Sequence, residues 1–227
     1  MTGGFAANLL VDLDALVGGL FILSAFFLMA PRQAQGFLKH FVRQSFLLAL
    51  SALLLGWLHG SVELLLVALI TLLAKTLIIP GLLTRTLERE LRSRREVELA
   101  VSVPASLLVA IVITVLAFVF VAPLLHGVGP TVDINLPIGF AVTLIGVYTL
   151  AVRREAVPQM LAVMAIDNGA FFAGIAIASS SAIVELAAGL EGVVVVLVVA
   201  ILARTIAQHV GSTAVGDLTS LKEGTPS

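Results

Sequence analysis

Long apolar runs separated by short polar breaks make up most of the chain, and the runs have the length of membrane-crossing helices. At a rise of about 1.5 Å per residue, roughly 20 predominantly apolar residues cross about 30 Å of hydrocarbon. Seven runs meet this demand: approximately Ala15 to Ala30, Phe41 to Leu58, Val62 to Leu83, Leu99 to Leu125, Leu136 to Val152, Val157 to Ala178 and Ile183 to Thr205. The first and fifth are the shortest. The one long polar interval, Thr84 to Glu98, reads as a solvated amphipathic continuation of the third helix. The pattern predicts an all-α, polytopic membrane protein in three parts. Residues 1–98 form a three-helix unit with a charged segment, 99–135 a fourth helix and its following loop, and 136–227 a second three-helix unit with a polar tail.

The positions of Lys and Arg predict the orientation, because cytoplasmic loops collect positive charge. Arg32, Lys39 and Arg43 fall between spans one and two; Arg85, Arg89, Arg92, Arg94 and Arg95 between three and four; Arg153 and Arg154 between five and six; Arg204 and Lys222 after span seven. All of these lie on one side. The opposite loops show only His59, Glu63, Asp133 and the N-terminal Asp12 and Asp14. The expected arrangement has the N-terminus outside and the C-terminus in the cytoplasm, in a prokaryotic inner membrane. The N-terminal stretch has no positive n-region, so its first apolar run is read as a span and not as a cleaved signal.

Composition narrows the chemistry. Of 227 residues, 59% are hydrophobic and only 12% charged, far from the soluble range. With no cysteine, the chain cannot supply thiolate metal sites, iron–sulfur ligands or cysteine nucleophiles. A formal net charge of −1 gives no electrostatic basis for nucleic-acid binding. The histidines His40, His59, His126 and His209 lack metal-ligand spacing, and neither a phosphate-binding glycine loop nor a nucleophile elbow is present. No metal or other cofactor is expected on this chain.

Ionisable residues at membrane depth carry the remaining signal, since each is costly to insert and is a functional hypothesis by default. Lys75 lies about ten residues, or about 15 Å, inside the boundary marked by Arg85. Pro80 follows five residues later and interrupts the helix, an arrangement suited to a switch or relay; the plainer alternative is a fixed ion pair with Glu63 or a carboxylate of another subunit. Asp167 in span six and Glu191 in span seven reach the bilayer interior on helices joined by a short turn at Ser179 to Ser181. Antiparallel packing brings the two carboxyls to comparable depth, where low dielectric disfavours the charged form, as a proton relay requires. Asn168 beside Asp167, and Glu185 and Glu63 near the outer surface, are secondary candidates. Ala170, Gly174 and Ala178, spaced by four, read as a helix-packing face, and Gly18 and Gly19 as another close contact.

The order of these features resembles a known family. Residues 136–224 are similar to the three-span K-type subunit of respiratory complex I and of related cation antiporters: a span ending in Arg153 and Arg154, a span carrying Ala165-Ile-Asp-Asn-Gly169, a short turn, a span with Glu191, and the tail from Asp217 to Gly224. The whole chain resembles component E of hydrogenase-4 and formate hydrogenlyase complexes, on Arg43-Gln-Ser45, Ala74 to Pro80, Ala165 to Gly169 and the tail from Gly211 to Glu223. The resemblance implies a non-catalytic subunit of a membrane arm whose buried acids form part of a proton path. Its implied partners are antiporter-like and quinone-module-like membrane subunits and a peripheral redox arm. In the K-type pattern the first membrane glutamate falls at Met164, and its role passes to Asp167, three residues on and on nearly the same face. An antiporter subunit without redox chemistry is the alternative expectation.

Overall fold

A computed structural model of the chain describes residues 2–31, 33–86, 101–125, 129–153 and 156–177. The chain divides into two compact units, Met1–Glu191 and Gly192–Ser227, and all the described residues lie in the first. The described elements are α1 (Thr2–Leu28), α2 (Ala34–His59), α3 (Val62–Thr71), a π-helical stretch (Leu72–Ile78), α4 (Ile79–Thr86), α5 (Val103–Val121) continued by a short 3-10 turn (Ala122–Leu124), α6 (Pro130–Val152) and α7 (Ala156–Ile177).

Six of the helical segments are long and apolar enough to cross a membrane: Ala7–Leu28, Ala34–His59, Val62–Arg85, Val103–Val121, Pro130–Val152 and Val157–Ile177. The protein is therefore a multi-pass, all-helical membrane protein. These segments match the first six expected spans; the seventh lies outside the described residues. Large apolar side chains face outward along the bundle, among them Leu66, Leu108, Val119 and Phe120, each more than half exposed. In water such a surface would be a liability, whereas in hydrocarbon it is the solvated face.

The two spans expected to be shortest are in fact of ordinary length, 22 and 23 residues. Asp12 and Asp14 cut short the apolar run of α1, and Asp133 and Asn135 that of α6. Pro137 stays inside α6, and Asp14 and Asn135 are buried within the bundle. Their bonds to each other and to α2 are what allow polar residues to stand inside apolar helices.

Around α2 the packing is tight. It lies against α1, α3 and α7, while α1 also packs on α6, and α6 pairs with α7 along most of its length. Phe21, Leu48, Ile138 and Phe172, from four different helices, share one apolar core in which none exceeds 4% exposure. The α2–α3 turn is made by Gly60, whose positive φ of 64° ends α2, and by Ser61, whose hydroxyl accepts from the Leu64 N–H to cap α3.

The α6–α7 contact depends on glycines. A Cβ at Gly139 would meet the Ala173 nitrogen, and one at Gly169 the Thr143 nitrogen, at distances no side chain tolerates. The packing face of α7 is thus Gly169 with Ala173, one position away from the expected Ala170 and Gly174. Ala170 is exposed and Gly174 has open space around it. Ala and Gly occur on both faces of α7, and the contact with α6 uses the face of Gly169 and Ala173; Ala178, the third residue of the expected stripe, lies outside the described residues. Of the expected glycine pair on α1, Gly18 approaches Asn135 and Phe172 closely, and Gly19 does not.

Candidate functional site

Lys75 is fully buried on the π-helical stretch. The end of that stretch is legible in the sequence. The N–H of Ile79 reaches back five residues to the Ala74 carbonyl, one more than in an α-helix, and the next bond of this kind would need an N–H from Pro80, which has none. Pro80 therefore ends the π stretch, and the widened turn presents Lys75 to the bundle interior.

Its ammonium donates to Asp167 Oδ2 at 2.5 Å and to Asn168 Oδ1 at 3.0 Å, and lies 5.7 Å from the centre of the Phe171 ring. Asn168, fully buried, uses its other end to donate to Ser45 Oγ at 3.0 Å and to Gln44 Oε1 at 3.3 Å. Asp167 is ten residues from either end of its span, so the pair stands at mid-membrane. Three short segments noted in the sequence thus converge on one point: Gln44 and Ser45 from α2, Lys75 from the π stretch, Asp167 and Asn168 from α7.

The polar network is incomplete in an informative way. Gln44 Nε2 and Thr76 Oγ1 are buried with no hydrogen-bond partner among the described residues. Buried polar groups normally find a partner in protein or water, so these atoms are the unfinished edge of the network around Lys75. Asp167 keeps 13% exposure, whereas Lys75 has none, so the carboxylate is the less enclosed end of the pair.

Chemically, Lys75 and Asp167 form a neutral unit whether the proton sits on nitrogen or on oxygen. Transfer across the short bond changes the dipole but not the net charge. The unit changes charge only when it gains or loses a proton from outside the pair.

A second polar layer was not among the expected sites. Asp14, expected in a loop, is 1% exposed; Ser51 donates to its Oδ1 at 2.6 Å and Asn135 Nδ2 to its Oδ2 at 2.6 Å. Asn135 Oδ1 has no partner among the described residues, and the lack of a side chain at Gly18 lets it approach α1 closely. Arg153, expected in a loop, is also buried; it donates to the Met29 carbonyl at 2.6 Å and stacks on Phe37 at 4.6 Å, fastening the end of α1.

The remaining candidates do not join these layers. Glu63 is exposed on the first turn of α3 and accepts from Ser61 at 2.8 Å; the carboxylate that meets Lys75 is Asp167. Glu185 and Glu191 lie outside the described residues. Met164, where the family pattern places its first acid, is fully buried, one turn from Asn168. Among the described residues no group of His, Asp and Glu is arranged to hold a metal ion.

No family model matches the chain, and no solved structure matches it. An uncharacterized protein of Mycobacterium tuberculosis, Rv0085, is 31% identical to it over 219 residues, which span 96% of this chain and 97% of the other. Identity of that order, along nearly the whole of both proteins, means that the chain belongs to the family of this mycobacterial protein.

Proposed function

We propose that the protein is a non-catalytic membrane-arm subunit of an energy-converting redox complex, of the hydrogenase-4 or complex I-like kind, and that it carries part of that complex's proton path. The single observation that supports this reading most is the Lys75–Asp167 pair: an ion pair at mid-membrane, on a helix broken by a π stretch, with unpartnered polar atoms beside it. A pair serving only to tie helices together has no need of the widened turn.

In this reading the protein has seven spans, with the N-terminus outside and the C-terminus in the cytoplasm of a prokaryote. Glu191 on the last span is the next station after Asp167. Antiporter-like and quinone-module-like subunits flank the chain, and a peripheral arm performs the redox chemistry.

Gentle purification of the tagged chain from its native membrane, with mass spectrometry of what accompanies it, tests the assignment. Redox subunits together with antiporter-like subunits are the expected companions. Isolation alone, or with transport subunits only, would overturn the redox assignment, and ion-driven pH change in vesicles without a redox donor would then favour an antiporter.

A further inference from the structure

Asp14 stands in an environment unlike that of Asp167. Both of its oxygens accept hydrogen bonds, yet both donors, Ser51 and Asn135, are neutral. It is seven residues inside its span, about 10 Å from the end of the helix. A carboxylate at that depth either carries an uncompensated charge or takes up a cation, and a proton is the smallest one.

The surroundings satisfy both protonation states. In the charged state the Ser51 hydroxyl donates to Oδ1, as observed. When one proton arrives from water, Oδ1–H can donate to Ser51 Oγ instead, and the serine proton rotates toward the α2 carbonyl one turn back, the usual acceptor for a helical hydroxyl. Asn135 keeps donating to Oδ2 throughout, and its unpartnered Oδ1 offers an acceptor to an arriving water. One proton is gained, one carboxylate becomes a carboxyl, and no other bond changes.

Asp14 lies nearer one end of its span than the other. The titratable group that acts on Asp14 from α2 is His59, exposed two turns beyond Ser51 at the end of that helix, where its Nδ1 meets the Leu55 carbonyl. From α6 Asp14 meets only Asn135, because Asp133 is exposed, as is Asp12 on α1 itself. In the other direction, Gln44 lies seven residues from Ser51 on the same face of α2, about 10 Å away. Between the two layers stand Leu48 and the stacked rings of Phe21 and Phe172, 4.3 Å apart.

We infer that Asp14, with Ser51 and Asn135, is a second reversible proton-binding site, separated from the Lys75–Asp167 pair by an apolar layer and loaded from the membrane face where His59 lies. The site deepens the function proposed above and takes its role in a path from that reading.

Dicyclohexylcarbodiimide, which couples to protonated carboxyls in apolar surroundings, is the probe. The purified complex is treated across a pH series and the adducts are mapped by mass spectrometry. Labelling of Asp14 is expected, falling about tenfold per pH unit above the titration midpoint. Infrared difference spectra should show a protonated-carboxyl stretch that D14N removes and S51A shifts. An Asp14 that stays unlabelled at every pH, with the stretch unchanged in D14N, would overturn the site. Suppression of labelling by Na⁺ at constant pH would overturn it too, marking a metal-cation site. Because the label reports the proton on Asp14 and not pumping, wild-type pumping in D167N would remove the broader reading without touching this result.

Discussion

Lys75 and Asp167 are 92 residues apart in the chain and 2.5 Å apart in space, and Asn168 ties the same ammonium to α2. The pair can be tested as structure and as chemistry separately. D167N takes from the fully buried Lys75 the carboxylate it donates to, and loss of about 3–5 kcal/mol of stability is expected, read as a lowered Tm in detergent. K75M/D167N removes both charges and should recover most of that Tm, since a neutral pair at such a site is no worse than an ionic one. Proton translocation should stay lost in the double variant. Its return together with the Tm would mean that the pair only holds helices together.

Pro80 makes a second test. In P80A an N–H is restored at the position that ends the π stretch, so the stretch can extend by a bond to the Lys75 carbonyl or give way to an α bond to Thr76, and either change moves Lys75 relative to Asp167. Translocation should fall several-fold while the complex still assembles. An unchanged rate would show that the widened turn is incidental. Because the chain has no cysteine, an introduced Cys pair on the π stretch and α7 would report the movement by crosslinking without background.

Two glycines that look alike in the sequence should behave differently. G139A places a Cβ where the Ala173 nitrogen already is and should destabilise the chain by about 1–3 kcal/mol through overpacking. G174A meets open space and should be neutral or slightly stabilising. Thermal unfolding of both variants decides this; equal effects would contradict the close α6–α7 contact.

Phe172 stacks on Phe21 in the layer between the polar centres. F172A should cost about 3–5 kcal/mol and open a cavity where water can enter. Proton leak in the absence of redox turnover is the expected signature, measured as dissipation of an imposed pH gradient. E63Q is the matching control: an exposed carboxylate bonded to Ser61 should be replaceable without effect on translocation.

Much of this architecture was readable from residue order. Hydropathy placed six spans, and Lys75, Asp167 and Asn168 declared themselves as polar groups where lipid was expected. Asp14 and Asn135 did not, because they sit near span ends and lowered the local hydropathy enough to look like loop residues. Only their pairing, across 121 residues, reveals them as interior. Ser45 and Ser51 are ordinary in any helix and acquire meaning only from Asn168 and Asp14 opposite. Arg153 counted correctly as a positive charge near a span end, but no local pattern distinguishes a solvated arginine from one folded back onto a carbonyl.

Helix α2 presents Ser51 to one polar centre and Gln44 and Ser45 to the other, with nothing between them but two turns of regular helix. Such a rod is stiff over 10 Å, so it cannot yield at one end and stay put at the other. A sideways push of about an ångström, from a neighbouring subunit or from a change of charge at either end, would stretch hydrogen bonds in both centres at once. The two centres are therefore geared to each other mechanically, through a shared axle, across the apolar layer of Leu48, Phe21 and Phe172.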